Sequence, residues 1–155
     1  MLTTLCYIEN RESYLMLHRV KKEKDMNHDK WIGIGGKFED GESPEECVAR
    51  ECLEETGLTL KDARIRGIIT FVSDEYPCEY MFLYTATEYE GDIKACDEGN
   101  LEWVAKDKIH ELNLWEGDLI FFELLERNMP FFSLKLKYSK DKLTEAILDG
   151  KVLKI

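Results

Sequence analysis

Apolar and polar positions alternate along most of the chain in short runs that are typical of β-strands. Polar clusters, glycines or prolines separate the runs. The pattern predicts strands at residues 3–8, 14–18, 63–72, 78–89, 101–104, 131–138 and 143–148. The first two runs flank a polar stretch, 9–13, and are expected to form a hairpin. Many strands with two separated helices predict an α/β or α+β fold that has helices on both faces of the sheet.

The clearest predicted helix runs from Pro44 to Thr56. Ser43 is a good N-cap, and Glu46 completes a Ser-x-x-Glu capping box. Pro44 suits the first helical position, and Gly57 supplies the left-handed stop. The helix is therefore marked at both ends by its own sequence.

The remaining segments are less regular. A second amphipathic helix is predicted at residues 118–127, and its inward-facing residues are expected to be Leu119, Phe121, Phe122 and Leu125. Residues 106–112 are expected to form a short helical turn, and the charged segment 20–30 a mobile loop. Residues 31–38 contain three glycines, which indicates a tight turn or a close approach to a ligand.

Length and composition favour one domain, 1–155, that can bury a core without disulfides. No apolar run approaches 18 residues and residues 1–8 lack a basic segment, so neither a membrane span nor a signal peptide is expected. The five cysteines form no CxxC pair, which predicts reduced thiols in a cytoplasmic protein. The basic residues are scattered, so no nucleic-acid groove is expected. Monomer and homodimer both stay open.

The net charge of −11 is concentrated in one segment. Residues 39–55 contain eight acidic residues and one arginine, giving −7 and leaving −4 for the rest. On a helix, Glu51, Glu54 and Glu55 share one face, and the opposite side, toward the expected core, carries Val48, Ala49, Cys52 and Leu53.

That acidic face is unfavourable without a counter-charge. Like charges one turn apart cost about 0.2–0.5 kcal/mol. Acids in the last turn cost about 0.3–1 kcal/mol each. A solvated acidic face is the alternative reading, but it leaves this arrangement unexplained. A hard divalent cation resolves the repulsion, and all-oxygen ligands favour Mg²⁺ or Mn²⁺.

The same residues form a known motif. The pattern GX5EX7REUXEEXGU is matched by Gly36, Glu42 and residues 50–58. Cys52, at a position that calls for a hydrophobic residue, is the only weak match. On this motif the chain resembles the Nudix hydrolases, and residues 30–37 and Trp115-x-x-Asp118 resemble the MutT-like branch. The resemblance implies the Nudix fold, a mixed β-sheet sandwiched between helices (α/β/α). It also implies Mg²⁺-dependent hydrolysis of a small-molecule nucleotide.

The resemblance further implies roles for individual residues. The implied metal ligands are the Gly36 carbonyl and the carboxylates of Glu51, Glu54, Glu55 and Glu98. Arg50 would orient a helix carboxylate, and Glu42 would stabilise the loop. Either Glu54 or Glu98 would serve as the general base.

Substrate contacts are implied at both ends of the nucleotide. Arg19 and Lys37 would bind phosphate, although Arg19 also reads as a surface arginine. Trp115 would stack on the base and Asp118 would bond its edge, with a packed core tryptophan and a helix cap as the alternatives. Trp31 would form a second wall for the base.

The implied reaction releases a nucleoside monophosphate and pyrophosphate from a triphosphate. In the MutT-like branch the substrate is an oxidised purine such as 8-oxo-dGTP, removed from the nucleotide pool before it causes mutation. Ile32 departs from the asparagine that the human oxidised-purine enzyme carries there. Dinucleoside polyphosphates, ADP-ribose and nucleotide sugars stay open, and Tyr76 is a weak hint toward the first. A non-catalytic nucleotide sensor is disfavoured because all glutamates of the motif are intact.

Overall fold

The computed structural model describes residues 1–155 and contains eleven strands, two α-helices and one 3₁₀-helix. The strands are β1 (Leu2–Ile8), β2 (Ser13–His18), β3 (Trp31–Ile32), β4 (Thr59–Leu60), β5 (Arg64–Ser73), β6 (Glu79–Ala86), β7 (Tyr89–Glu90), β8 (Asn100–Ala105), β9 (Phe132–Ser139), β10 (Lys142–Leu148) and β11 (Lys151–Val152). The helices are α1 (Pro44–Thr56) and α2 (Asp118–Glu126), and the 3₁₀-helix spans Lys106–Glu111. Neither α-helix is long and apolar enough to cross a bilayer.

The main sheet has six strands in the order β1-β6-β5-β9-β10-β11. It is mixed, because β1 runs parallel to β6 and β5 parallel to β9 while the other pairs are antiparallel. A smaller sheet has the order β3-β2-β8, and β4 pairs with β7. The predicted segments therefore form strands, and the four two-residue strands β3, β4, β7 and β11 were too short to be predicted.

Side chains that alternate along β1 divide the interior into two apolar clusters. Cys6 and Ile8 pack in the cluster that includes Val48 of α1. Tyr7 packs in the other cluster, together with Phe121 of α2. The two helices thus cover opposite faces of the sheet. The predicted α/β/α arrangement is confirmed.

The predicted hairpin between the first two strands is wrong. β1 pairs with β6 over its full length, whereas β2 lies between β3 and β8 in the smaller sheet. Only an isolated bridge between Glu9 and Tyr14 joins the two segments beside the turn. The polar stretch does reverse the chain, but strands from distant parts of the sequence compete successfully for the backbone hydrogen bonds.

The end signals of α1 are confirmed. The Ser43 hydroxyl accepts the Glu46 N–H at 3.1 Å, and the Glu46 carboxylate accepts the Ser43 N–H at 3.0 Å. Gly57 adopts the left-handed conformation with φ 81° and donates its N–H to the Leu53 carbonyl at 2.9 Å. The helix thereby satisfies backbone groups at both ends.

The predicted core face of α1 is partly wrong. Val48 and Cys52 are buried, but Ala49 and Leu53 are exposed. The other buried positions are Cys47 and Thr56. The helix is therefore rotated so that its acidic face adjoins the core instead of lying opposite to it.

Two further predictions are corrected. Leu119 is 43% exposed, because the residues of α2 that face the core are Phe121, Phe122, Leu124 and Leu125. The segment 20–30 is a loop, as predicted, but hydrogen bonds hold it in place. The Arg19 N–H donates to the Lys30 carbonyl at 2.9 Å, and the Asp29 N–H donates to the Arg19 carbonyl at 2.7 Å.

Replacing the capping residue tests the account of α1. Ser43→Ala removes the acceptor for the Glu46 N–H and should lower the free energy of unfolding by about 1 kcal/mol. Urea denaturation measures the change. Ser133→Ala, at an exposed strand position, is the control and should stay within about 0.5 kcal/mol of wild type. Equal stability of the two variants would show that the capping box does not stabilise the helix.

Candidate active site

Arg50 joins the loop before α1 to the acidic face of the helix. Its guanidinium donates to both carboxylate oxygens of Glu42, at 2.6 and 2.9 Å. It also donates to Glu51 Oε1 at 2.9 Å, to Glu54 Oε2 at 3.3 Å and to the Lys37 carbonyl at 3.0 Å. The bonds from Arg50, with a further one from the Glu39 N–H, lower the pKa of Glu42 to about 2. The geometry fits the positioning role predicted for Arg50, and Glu42 anchors it in the loop.

Glu55 is the uncompensated carboxyl of the acidic face. Its Oε2 atom is buried and has no hydrogen-bond partner. Burial, together with the negative charges of Glu98 and Glu51, raises the pKa of Glu55 to about 9, against a lowering contribution from the Gly35 backbone. Two carboxyl groups therefore lie close to a third, that of Glu55, which lacks a positively charged partner.

Gly36 allows the carboxylate of Glu51 to lie against the backbone. A Cβ atom at Gly36 would stand 2.6 Å from the Glu51 carboxyl group. Burial raises the pKa of Glu51, while Arg50 lowers it. The Gly36 carbonyl accepts the Thr4 N–H at 3.0 Å and lies 3.7 Å from the Cys47 thiol. Glycine is thus required here by close packing against the acidic face.

Arg19 links Glu98 to the loop 20–30. Its Nη1 donates to Glu98 Oε2 and its Nε donates to Asp25 Oδ2, both at 2.8 Å. Lys22 lies 3.5 Å from the other oxygen of Glu98. The Arg19 side chain is only 13% exposed, so it is not a surface arginine.

The carboxylates do not form a ready-made coordination shell. No group of three or more acidic, histidine or cysteine side chains stands at metal-ligating spacing. Glu51 and Glu54 are turned toward Arg50, and Glu98 is turned toward Arg19. The orphaned oxygen of Glu55 and the all-oxygen donor set nevertheless fit a hard divalent cation.

A cavity of about 180 Å³ adjoins the carboxylates. Arg19 and Gly36 line it, and the same two residues contact Glu98 and Glu51. Its other walls include Trp115 and Asp118, which are 7% and 8% exposed. The cavity and the acidic face therefore share walls, so one ligand can reach both.

Trp115 is packed in the core and lines the cavity as well. Its ring lies edge-on to Phe71 and Tyr138, with centroid distances of 5.3 and 5.1 Å. Its Nε1–H donates to Asn27 Oδ1 at 2.8 Å, and Lys30 Nζ lies 4.9 Å from the ring centroid. A place in the core and a contact with the base are therefore compatible for Trp115, because it packs against core aromatics and also lines the cavity.

Asp118 is not the cap of α2, since Gly117 occupies the N-cap position. Its carboxyl group is buried and lines the cavity. Burial raises the pKa of Asp118 to about 8, and the charge of Lys30 opposes that shift. The group is thus able to donate or accept a hydrogen bond near neutral pH.

Two predicted contact residues lie away from the cavity. Trp31 stacks on His18 at a centroid distance of 4.3 Å, and Ile32, the next residue, lines the cavity instead. Lys37 is exposed and contributes its backbone carbonyl to Arg50. The structure therefore does not support Trp31 as a wall of this cavity, and Lys37 as a phosphate ligand stays a prediction.

Several cavity residues were missed from the sequence. They are Thr3, Tyr7, Asn27, Glu79 and Tyr138. The alternation along β1 places Thr3 and Tyr7 on the same face and could have indicated both. Asn27 lies in a loop without periodicity, so no pattern signals its contact with Trp115.

Comparison with known proteins gives consistent matches. The model of the NUDIX domain family matches residues 1–125. Two relatives named "Oxidized purine nucleoside triphosphate hydrolase" are similar to this chain. The Danio rerio protein is 32% identical over 129 residues, which is 83% of each chain, and the Mus musculus protein is 31% identical over 112 residues, 71% of each. The crystal structure of a MutT protein from Bacillus halodurans superposes with a TM-score of 0.83 at 33% identity, covering 97% of this chain and 98% of that one.

The buried carboxyl of Asp118 predicts a pH dependence of stability. The native state retains a proton up to about pH 8, whereas the unfolded state releases it near the ordinary value of 3.8. Because the native state binds more protons in this interval, stability should fall as pH rises through it. Asp118→Asn should remove this part of the decrease in the free energy of unfolding. The stability of the variant relative to wild type should therefore increase with pH.

Urea denaturation at a series of values between about pH 5 and pH 8 measures this difference. Asp107→Asn, at an exposed position of the 3₁₀-helix, is the matched control and should track wild type at every pH. A stability difference for Asp118→Asn that stays constant with pH would contradict the assignment of a buried carboxyl that retains its proton.

Proposed function

The chain belongs to the Nudix family of hydrolases, and from this we propose that it is a Mg²⁺-dependent enzyme that cleaves a nucleoside triphosphate into the monophosphate and pyrophosphate. The observation that carries the proposal is the shared wall between the cavity and the acidic face. Arg19 and Gly36 border both regions. A nucleotide whose base enters the cavity would therefore present its phosphates to the carboxylates.

We infer that the base is an oxidised purine, as in 8-oxo-dGTP, and that the enzyme removes it from the nucleotide pool. The names of the two relatives support this substrate class. The aromatic ring of Trp115 and the carboxyl group of Asp118 both line the cavity and could contact a base. Tyr76, the hint toward dinucleoside polyphosphates, does not line the cavity and instead packs edge-on to Trp115 at 6.4 Å.

Mg²⁺, with Mn²⁺ as the substitute ion, fits the oxygen donors of the acidic face. The residues that would hold it are Glu51, Glu54, Glu55, Glu98 and the Gly36 carbonyl. When bound, the ion would neutralise phosphate charge and lower the pKa of the attacking water. To reach it, Glu51 and Glu98 would turn from Arg50 and Arg19.

The other roles belong to the chain itself. Arg50 holds the loop before α1 against the helix, because it bonds Glu42 of the loop and Glu51 of the helix. Glu54 is our choice for the general base, because its side chain is 58% exposed and only one of its oxygens contacts Arg50. Both oxygens of Glu98 contact cationic groups. Arg19, released from Glu98, would bind a phosphate.

Hydrolysis of a nucleotide panel tests the proposed substrate. With Mg²⁺ present, 8-oxo-dGTP should be cleaved with a higher kcat/KM than dGTP, ADP-ribose or diadenosine tetraphosphate. The products should be the monophosphate and pyrophosphate, and a chelator should abolish turnover. Phosphate-release assays and chromatography of the nucleotide products provide the measurement.

Other outcomes of the panel identify the alternatives. Preferred cleavage of ADP-ribose or diadenosine tetraphosphate would assign the chain to a branch of the family with that substrate. Micromolar binding without hydrolysis would indicate a nucleotide sensor.

Loss of the orphaned carboxyl tests the metal site. Glu55→Gln keeps the size of the side chain but removes its charge. It should weaken Mg²⁺ binding by about a hundredfold or more, since even outer-shell partners contribute about 10–100-fold. Isothermal titration with Mg²⁺ measures the affinity, and turnover should fall in parallel.

Glu123→Gln is the control, because Glu123 is an exposed carboxylate on the other helix. It should leave both Mg²⁺ affinity and turnover unchanged. Wild-type Mg²⁺ affinity in Glu55→Gln would refute Glu55 as a ligand.

A further inference from the structure

Tyr7 presents an unexplained polar atom at the cavity. The side chain lies in β1, is fully buried and lines the cavity. Its hydroxyl has no partner at normal hydrogen-bond geometry, although the Gly33 backbone approaches its oxygen, and the one other buried side-chain oxygen in that state belongs to Glu55. A buried hydroxyl without a partner is unfavourable, so its presence requires a reason.

Packing explains the ring of Tyr7 but not its hydroxyl. The ring lies 4.8 Å from Phe122, 5.7 Å from Phe121 and 5.8 Å from Tyr14 between centroids. Phenylalanine would make the same ring contacts. The O–H proton of Tyr7 therefore has no acceptor in the folded chain alone.

The cavity that Tyr7 lines carries further O–H groups. Burial and then the nearby Asp118 raise the pKa of Tyr7, against a lowering contribution from the Gly33 backbone, so the phenol keeps its proton. Tyr138 lines the same cavity, and its hydroxyl oxygen already accepts the Gly117 N–H at 2.7 Å, which leaves its own proton to donate. Asp118, whose pKa is also raised by burial, adds a third O–H near neutral pH.

A donor-rich pocket selects a ligand edge that carries acceptors. Buried polar groups of a binding site discriminate strongly, because a ligand that lacks the matching atom leaves them unpaired. An exocyclic keto oxygen has two acceptor positions and no proton. An exocyclic amino group at the same place would oppose donors with donors.

We propose that the Tyr7 hydroxyl donates a hydrogen bond to an exocyclic keto oxygen of the purine in the cavity and thereby selects keto-bearing purines. This inference rests on the proposed function, in that the cavity receives the base. It adds a specificity-determining residue from β1 to the contacts of Trp115 and Asp118.

Metal-free binding of nucleoside monophosphates tests the inference without requiring turnover. The probes are 8-oxo-dGMP, dGMP and the deoxyribonucleoside monophosphate of 2-aminopurine, which lacks the keto oxygen and its accompanying ring proton. Wild type should bind the two keto-bearing ligands more tightly than the third. In Tyr7→Phe their affinity should fall about tenfold while that of the aminopurine ligand stays unchanged, so the preference disappears. Isothermal titration provides the affinities.

Tyr14→Phe is the matched control, because Tyr14 is a buried tyrosine in the same cluster that does not line the cavity. It should retain the preference. The Tm without ligand shows whether a loss of affinity comes from a lost ligand contact or from a destabilised fold. Since Tyr7→Phe removes an unpaired hydroxyl, its Tm should equal or exceed that of wild type.

Three results would overturn the inference. They are wild-type affinities in Tyr7→Phe, an equal loss for all three ligands together with a lower Tm, and the absence of nucleotide binding by wild type. Triphosphate hydrolysis with Mg²⁺ is measured separately. A wild type that binds with a Tyr7-dependent preference but cleaves none of the triphosphates would contradict the proposed reaction and leave the role of Tyr7 intact.

Discussion

The burial of carboxyl groups beside one another is the constraint on which the site depends. Glu55 has an oxygen that finds no donor, and the negative charges of its neighbours Glu51 and Glu98 oppose its ionisation. Charges in such surroundings are costly unless they are paired. Arg50 and Arg19 supply partial compensation at the two sides of the group, and Glu55 receives none. The local structure is therefore understandable as the frame of a cation site.

The same contacts also hold the cavity next to the acidic face. Arg50 ties α1 to the loop that contains Glu42, and the backbone at Gly36 lies directly against Glu51. Arg19 extends the frame through Asp25 to the loop 20–30, and Asn27 of that loop holds the indole of Trp115. A continuous set of contacts thus links the acidic face to the aromatic wall. A substitution at the acidic face is therefore expected to alter the position of residues at the aromatic wall, and the reverse.

The features that sequence predicted well are those with local causes. The capping box and Gly57 define α1 through contacts within four residues, and the motif places its glutamates on one helix face. The α/β/α arrangement also follows from alternation and helix placement. The hairpin failed because β1 pairs with β6, more than 70 residues away in sequence. The exposure of Leu53 and Leu119 depends on how each helix is rotated against the sheet, which an apolar residue type does not reveal.

The cavity residues also differ in how far the sequence predicts them. Alternation along β1 could have indicated Tyr7, whereas the contact between Asn27 and Trp115 joins two irregular segments and has no sequence pattern. Trp31 was predicted as a wall for the base because it is aromatic. Alternation along the strand places the next residue, Ile32, at the cavity instead.

Crystals grown with Mn²⁺ offer the most direct test of the central claim, that the acidic face is a cation site. Anomalous difference maps should show Mn²⁺ bound by Glu55 together with Glu51 or Glu98, and Arg19 should be displaced from Glu98. Maps without a Mn²⁺ peak at these carboxylates, from crystals at a saturating metal concentration, would contradict it.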